Sequence, residues 1–455
     1  MARAAVTGID ATEVQGLLVR GYGRLPHACY LLLTVTDAAA TRTLLADWAD
    51  QVSTGGPDEA PTALNIAFTA HGLVATGLPP EVVAGGFAAP FAEGMVGEHR
   101  SRILGDVGPA DPRHWAWGGP ETPPVHLLLL VYAETAELLA ARLAALRAQW
   151  ASALELVAEL PTDPLGGPEP FGFVDGLSQP RVAGFGDTGD GLPTGEFVLG
   201  HRNAYGQLTE RPLLAADTDP AGLLPRDPDG AADLGRGGSY LVLRQLRQDV
   251  ATFQEFLRER TRTPDGTEDP DAQRRLAARM VGRWPSGAPL VLAPDRDDPA
   301  LAVADFGYHA TDPDGLRCPL GAHIRRANPR DSLEPRPGSD ESRELTDRHR
   351  LLRRGRSYTR GDDRGLHFLC LVANITRQFE FVQHTWVGNP VFNGLQDQAD
   401  PLVAARTGRG AHFVEQARPV RRRHRDLPEF VRVRGGGYFF LPAPSALRYL
   451  AHIPG

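Results

Sequence analysis

Residues 125–160 read VHLLLLVYAETAELLAARLAALRAQWASALELVAEL, a strand, a helix and a strand in succession. Residues 125–132 (VHLLLLVY) form the most apolar run of this half, interrupted only by His126, which predicts a buried strand. Across residues 134–150, Leu138, Leu139, Leu143, Leu146 and Trp150 recur at three- and four-residue spacing, which predicts a helix with one apolar face. Residues 154–160 predict a returning strand. Upstream, residues 28–35 (ACYLLLTV) and 63–69 read as strands. Residues 37–51 read as a helix carrying Leu44, Leu45 and Trp48 at helical spacing. Strands alternating with helices, with long excursions between them, suit an α+β sandwich better than a regular parallel sheet.

Residues 161–193 are rich in Gly, Pro and Asp and read as a junction. The theme then repeats. Residues 239–246 and 367–375 predict strands, and 249–262, 271–283 and 377–386 predict helices. Residues 437–441 predict a short late strand. Residues 311–363 are polar, Arg-rich and irregular, and a long irregular segment in a compact protein is usually functional or mobile. Two such halves point to a duplicated ferredoxin-like plan: residues 1–165 as the N-terminal half, 166–238 as the junction and 239–455 as the C-terminal half.

Composition removes several chemistries. The chain has 455 residues, 42% of them hydrophobic, enough to build a sizeable core. It contains no lysine, so all 48 basic Lys and Arg positions are arginine. A Schiff-base lysine, a phosphate-loop lysine and a kinase lysine are therefore excluded. The net charge of −8 argues against a nucleic-acid partner. Cys29, Cys318 and Cys370 are the three cysteines, far apart and odd in number, so reduced thiols are expected rather than a disulfide framework or a zinc site. The first residues show no long apolar run and no twin arginine, and no stretch approaches about 20 apolar residues. A cytoplasmic protein that does not span a membrane is expected, and a homo-oligomer is left open.

Three segments carry candidate chemistry. In EPFGFVDGLSQP (169–180), Asp175 lies on a Gly-flanked turn. It reads either as an ordinary Asp-Gly turn or as a carboxylate brought close to a flat cofactor, where glycine leaves room for a small substrate. In CPLGAHIRRANPR (318–330), His323 follows small and apolar residues and precedes Arg325, Arg326 and Arg330. It reads either as a structural histidine or as an iron ligand, with arginines near cofactor carboxylates. In LLRRGRSYTRG (351–361), Arg353 follows two leucines and can point inward from an apolar wall while Arg354 points out. A fourth segment, residues 184–189, matches G-x-G-x-x-G but lacks the strand and helix that a dinucleotide site needs.

Taken together, GFVDG, GAHIRRANPRD and LLRRG resemble the signature segments of the dye-decolorising peroxidases. GEFVLGHRNAYG (195–206), LGRGGSYLVLRQL (234–246), VGRWPSGAPL (281–290), DRGLHFLCLVANI (363–375) and QFEFVQHTWVGNPVF (378–392) share the family's character, so the resemblance runs from about residue 16 to the C-terminus. It implies an α+β fold of two ferredoxin-like halves, antiparallel sheets with flanking helices, of the dimeric α+β barrel type. It implies haem b, with His323 as iron ligand. It places Asp175 and Arg353 as the catalytic pair, Leu366 and Phe368 as the apolar residues restricting access, and Arg330 near a propionate. Asp400 in QADPLVAAR is similar to the carboxylate that supports the iron ligand, with Asp397 as a nearby alternative. Trp386 matches a surface tryptophan used on bulky dyes, or packs in the interior. His367 departs from the family's apolar pattern: facing the cavity it is a second base, and facing away it changes little.

The implied activity is reduction of hydrogen peroxide and oxidation of a small organic donor, dyes or phenolics, through a ferryl intermediate. A dedicated haem-dependent tailoring oxidase and a non-catalytic haem carrier are the alternatives, and a carrier has no use for Asp175 and Arg353. A carboxylate with an ordinary pKa of about 3.9 is ionised at mildly acidic pH, so an acidic optimum is expected.

Overall fold

The computed structural model describes residues 9–57, 60–150, 152–185, 191–405 and 411–453. The N-terminal half is built on β1 (His27–Val35), α1 (Ala38–Ala49), β2 (Thr62–Phe68), β3 (Leu127–Ala133), α2 (Ala136–Trp150) and β4 (Leu154–Pro161). The C-terminal half is built on β5 (Ser239–Gln248), α3 (Val250–Thr261), α4 (Pro270–Val281), α5 (His323–Ala327), α6 (Asp340–Asp347), β6 (Leu352–Arg353), β7 (Arg356–Arg360), β8 (Asp363–Val372), β9 (Val431–Leu441) and α7 (Pro444–Ala451). The strand order is β4-β1-β3-β2-β9-β5-β8-β6, with β7 pairing β8. Every pairing in this sheet is antiparallel.

Each half repeats the ferredoxin-like order, fourth strand, first, third, second. Phe440 of β9 pairs Phe68 of β2, which fuses the halves into one sheet. The all-apolar reading of β3 matches its surroundings: every residue of Leu127–Ala133 is buried. Leu31, Ile66 and Leu129 pack on one face, and Tyr30, Leu128 and Leu130 on the other. Burial on both faces removes the need for polar alternation.

Local signals set the helix starts. Asp37, Asp249 and Asp269 each accept a hydrogen bond from the backbone N–H three residues on, and such caps contribute about 1 kcal/mol each. Pro270 occupies the first turn of α4, and Gly282, with φ of 99°, ends it.

Several expectations are corrected. The late strand spans Val431–Leu441, longer than residues 437–441. Charge and three consecutive glycines hide its first half, and Gly435 is required because a Cβ there would meet the Trp117 ring at 2.4 Å. Residues 311–363 are less irregular than expected, carrying α5, α6 and β6–β7. Leu138 lies off the buried face of α2 and is exposed. Short helices also fill the excursion between β2 and β3, among them Ala70–Thr76 and Glu98–Leu104. Of the G-x-G-x-x-G match, residues 186–189 lie outside the described residues. Cys29, Cys318 and Cys370 are buried free thiols. Among the described residues, no helix is long and apolar enough to cross a membrane.

Candidate active site

A cavity of about 310 Å³ opens against the C-terminal half, with the junction and Leu104, Gly105 and Asp106 of the N-terminal half completing its wall, within the range of roughly 300–1,000 Å³ usual for cofactor and ligand sites. Asp175, His323, Arg330, Arg353, Leu366 and Phe368 all line it. The fold brings together segments that lie far apart in sequence.

The Asp175 turn is anchored from both sides. The Glu169 carboxylate accepts the N–H of Phe171 at 3.1 Å and of Phe173 at 3.0 Å, closing a tight turn. Burial raises the Glu169 pKa, against the hydrogen bonds it accepts from Gln248 and the backbone. Phe173 is buried among Phe253, Phe256 and Phe430. Gly172 and Gly176 have φ of 96° and 83°, a region glycine enters without penalty. No atom lies within 4 Å of a Cβ built on either glycine, so backbone conformation, not crowding by the protein, requires them. Asp175 is thereby left half exposed. Its Oδ1 accepts from Gly176 N–H at 2.6 Å and from Arg353 Nη1 at 3.3 Å.

Arg353 comes from β6, where it pairs with Cys370 of β8. Strand alternation places Leu366 and Phe368 on the cavity face of β8. His367, between them, points to the opposite face. Its Nε2 lies 3.1 Å from the Pro161 carbonyl and its ring stacks on Tyr358 with centroids 4.4 Å apart. Burial pulls its pKa down to about 4. His367 is therefore no base for this cavity. Arg354 also differs from expectation: rather than pointing to solvent, it donates from Nε to the Leu17 carbonyl at 2.9 Å, because the N-terminal half covers that face.

His323 opens α5, and its Nδ1 lies 2.8 Å from Asp400 Oδ2. Asp400 is fully buried, and its Oδ1 accepts from Leu402 N–H and Val403 N–H, both at 2.9 Å. Burial opposes charge on both groups, but their mutual attraction prevails: Asp400 is held below the usual carboxylate range and His323 is raised. This carboxylate is Asp400 and not Asp397.

The arginine run after His323 divides. Successive helical residues project about 100° apart, so Arg325 and Arg326 turn into the protein. Arg325 pairs with Asp312 at 3.0 Å, and Arg326 donates to the Gln398 carbonyl at 3.0 Å. Of the run, only Arg330 lines the cavity. Its backbone is left-handed, with φ of 57°, and its guanidinium donates to the carbonyls of Phe306 and Ala304 and to Ser178 Oγ. Trp386 is 3% exposed, packed against Phe381 and His349, which contradicts its reading as a surface residue.

Sequence reading assigned no role to Glu169, Ser178, Arg283 and Arg350, which also line the cavity. The quoted segments GLSQP and VGRWPSG contain Ser178 and Arg283, but nothing in their spacing distinguishes them from turn residues. Burial, followed by the charges of Arg330 and Arg353, lowers Arg283 to about 10, against the opposing effect of Tyr308. Burial also lowers Arg350, which is partly relieved by Asp347. Among the described residues, Arg283 and Arg330 donate to carbonyls and Ser178 but have no carboxylate partner. A cavity with two guanidinium groups, Arg283 and Arg330, that have no carboxylate within ion-pair distance among the described residues, and a histidine whose second nitrogen is unassigned, fits an iron porphyrin, which brings two carboxylate arms and a metal that takes an imidazole ligand.

Comparison with known proteins agrees. The chain is 30% identical over 481 residues to a dye-decolorizing peroxidase of Exidia glandulosa, covering 98% of this chain and 88% of that one. It is 31% identical over 499 residues to a dye-decolorizing peroxidase of Mycena epipterygia, covering 97% and 87%. A solved fungal DyP-type peroxidase from Auricularia auricula-judae superposes with a TM-score of 0.77 at 26% identity, over 98% of this chain and 100% of that one. No profile of a known protein family matches the chain. The chain belongs to the dye-decolorising peroxidase family, haem-dependent oxidoreductases that use peroxide to oxidise organic donors.

Proposed function

We propose that this cavity would hold haem b, with His323 as its iron ligand and Asp175 and Arg353 as the residues that handle hydrogen peroxide. The haem, when bound, supplies the redox chemistry that joins peroxide reduction to donor oxidation. Because Nδ1 of His323 faces Asp400, Nε2 is the nitrogen left to bind iron. The buried carboxylate makes that imidazole more basic and fixes its orientation. Arg283, Arg330 and Arg350 receive the propionates.

The Asp175 carboxylate is asymmetric. Oδ1 is engaged by Gly176 and Arg353, so Oδ2 is the oxygen that takes a proton from one peroxide oxygen and returns it to the other. Arg353 stabilises the negative charge that develops as the O–O bond breaks. Leu366 and Phe368 restrict the space above, favouring peroxide over larger molecules at that position. Donors in this reading are small dyes and phenolics. Three buried free thiols fit a reducing, cytoplasmic setting.

The observation that carries this reading is that a carboxylate–guanidinium pair and a carboxylate-backed histidine line one cavity. Mixing the haem-loaded protein with one equivalent of peroxide tests it: the wild type forms a discrete spectral intermediate, and Asp175→Asn forms it at least about a hundredfold more slowly. An equal rate in the variant removes Asp175 from the role.

A further inference from the structure

Ser178 lies on the Asp175 loop, and its hydroxyl is used to capacity. Oγ accepts from Nη2 of Arg283 and Nη2 of Arg330, both at 3.1 Å, and donates to the Ala304 carbonyl at 3.3 Å. A hydroxyl has two acceptor sites and one hydrogen, so nothing remains. The Ser178 carbonyl accepts from Arg350 Nη2 at 3.2 Å, and Gln179 Oε1 accepts the Arg353 N–H at 2.9 Å. Residues 175–179 thus touch four arginines that line the cavity. Packing reinforces the link: Leu177 lies so close to Gly287 that a Cβ there would meet it at 2.1 Å, and the Gly287 carbonyl accepts from Arg283.

Arg283 and Arg330 are like charges converging on one neutral oxygen. Their repulsion opposes the very geometry that lets Ser178 hold both. An anion placed against them offsets that repulsion and favours the arrangement in which the loop is pinned. We propose that Ser178 is a positioning residue that couples the arginine wall to Asp175, so that the carboxylate arms of the cofactor order the loop carrying the peroxide-handling carboxylate. This rests on the haem reading of the cavity. Linkage makes it reciprocal: the ordered loop also strengthens retention of the anionic cofactor.

The test compares the full-length protein loaded with haemin and with haemin dimethyl ester, whose arms carry no charge. Hydrogen exchange is followed at the amides of residues 172–179. In the wild type, haemin slows exchange there about tenfold or more relative to the diester. Ser178→Ala abolishes that difference, and Ser178→Thr, which keeps the hydroxyl, restores it. A residue that only supports the fold shifts both loaded forms equally. Equal protection by the two porphyrins in the wild type overturns the proposal, as does haemin-specific protection that survives in Ser178→Ala. Should Ser178→Ala fail to fold, Ser178→Gly takes its place in the same comparison, with the same two outcomes. If neither porphyrin binds, the haem reading falls and the coupling falls with it; if both bind with equal protection, only the coupling is lost.

Discussion

His323 Nδ1 stands 2.8 Å from the fully buried Oδ2 of Asp400, and two backbone N–H groups hold the other carboxylate oxygen in place. This arrangement commits one imidazole nitrogen to the protein and frees the other for the cavity.

Asp400→Asn keeps an oxygen for Leu402 and Val403 but turns an amide group toward His323, favouring the other tautomer. Haem affinity, read by titration with haemin, should fall about 10- to 100-fold. An unchanged affinity would show that Asp400 serves packing alone.

Arg353→Leu removes the charge facing Asp175 while leaving the β6 backbone pairing intact. The protein should still retain haem, and stopped-flow formation of the peroxide-derived intermediate should slow about 10²- to 10³-fold. Rates equal to wild type exclude Arg353 from charge stabilisation.

His367 sets a pH dependence of stability. Its folded pKa is depressed from 6.5 to about 4, with burial as the cause. The unfolded chain therefore binds the extra proton first. The associated stability is fully present above pH 6.5, and it is lost progressively as the pH falls toward 4. The span amounts to about 3 kcal/mol. Denaturation of His367→Gln should show a shallower loss between pH 6.5 and 4 than wild type. Parallel pH profiles would mean that His367 is not the group responsible.

A fourth substitution isolates the apolar wall. Phe368→Ala enlarges the cavity above the proposed peroxide position without touching the Asp175–Arg353 pair. Oxidation of a bulky dye should gain relative to a small phenol, read as a change in the ratio of their kcat/KM values. An unchanged ratio would place dye oxidation elsewhere on the protein.

Legibility in the sequence followed burial. The four-leucine run of β3 and the spaced leucines of α2 announce themselves because hydrophobic burial drives both. β6 is only two residues long and sits in an arginine-rich stretch, so its pairing with β8 left no periodic trace. Arg325 and Arg326 read as partners for cofactor carboxylates and Arg354 as pointing outward, yet Asp312 and the Gln398 carbonyl hold the first two in the interior and the Leu17 carbonyl holds the third against the N-terminal half. His323 and Asp175 stood out through their neighbours. Ser178 did not, because its importance comes from two guanidinium groups that approach from residues about 105 and 152 positions away. For Trp386 the structure selects the interior alternative, because a match in sequence carries no information about which side of an element faces solvent.

The most direct measurement is a haemin titration of wild type and His323→Ala, followed by visible absorbance and by one equivalent of peroxide. The expected result is stoichiometric binding with a discrete peroxide-derived intermediate in the wild type, and affinity at least about tenfold weaker with an altered spectrum in His323→Ala. Identical spectra and affinities for the two proteins would contradict ligation at His323 and, with it, the arrangement of the whole site.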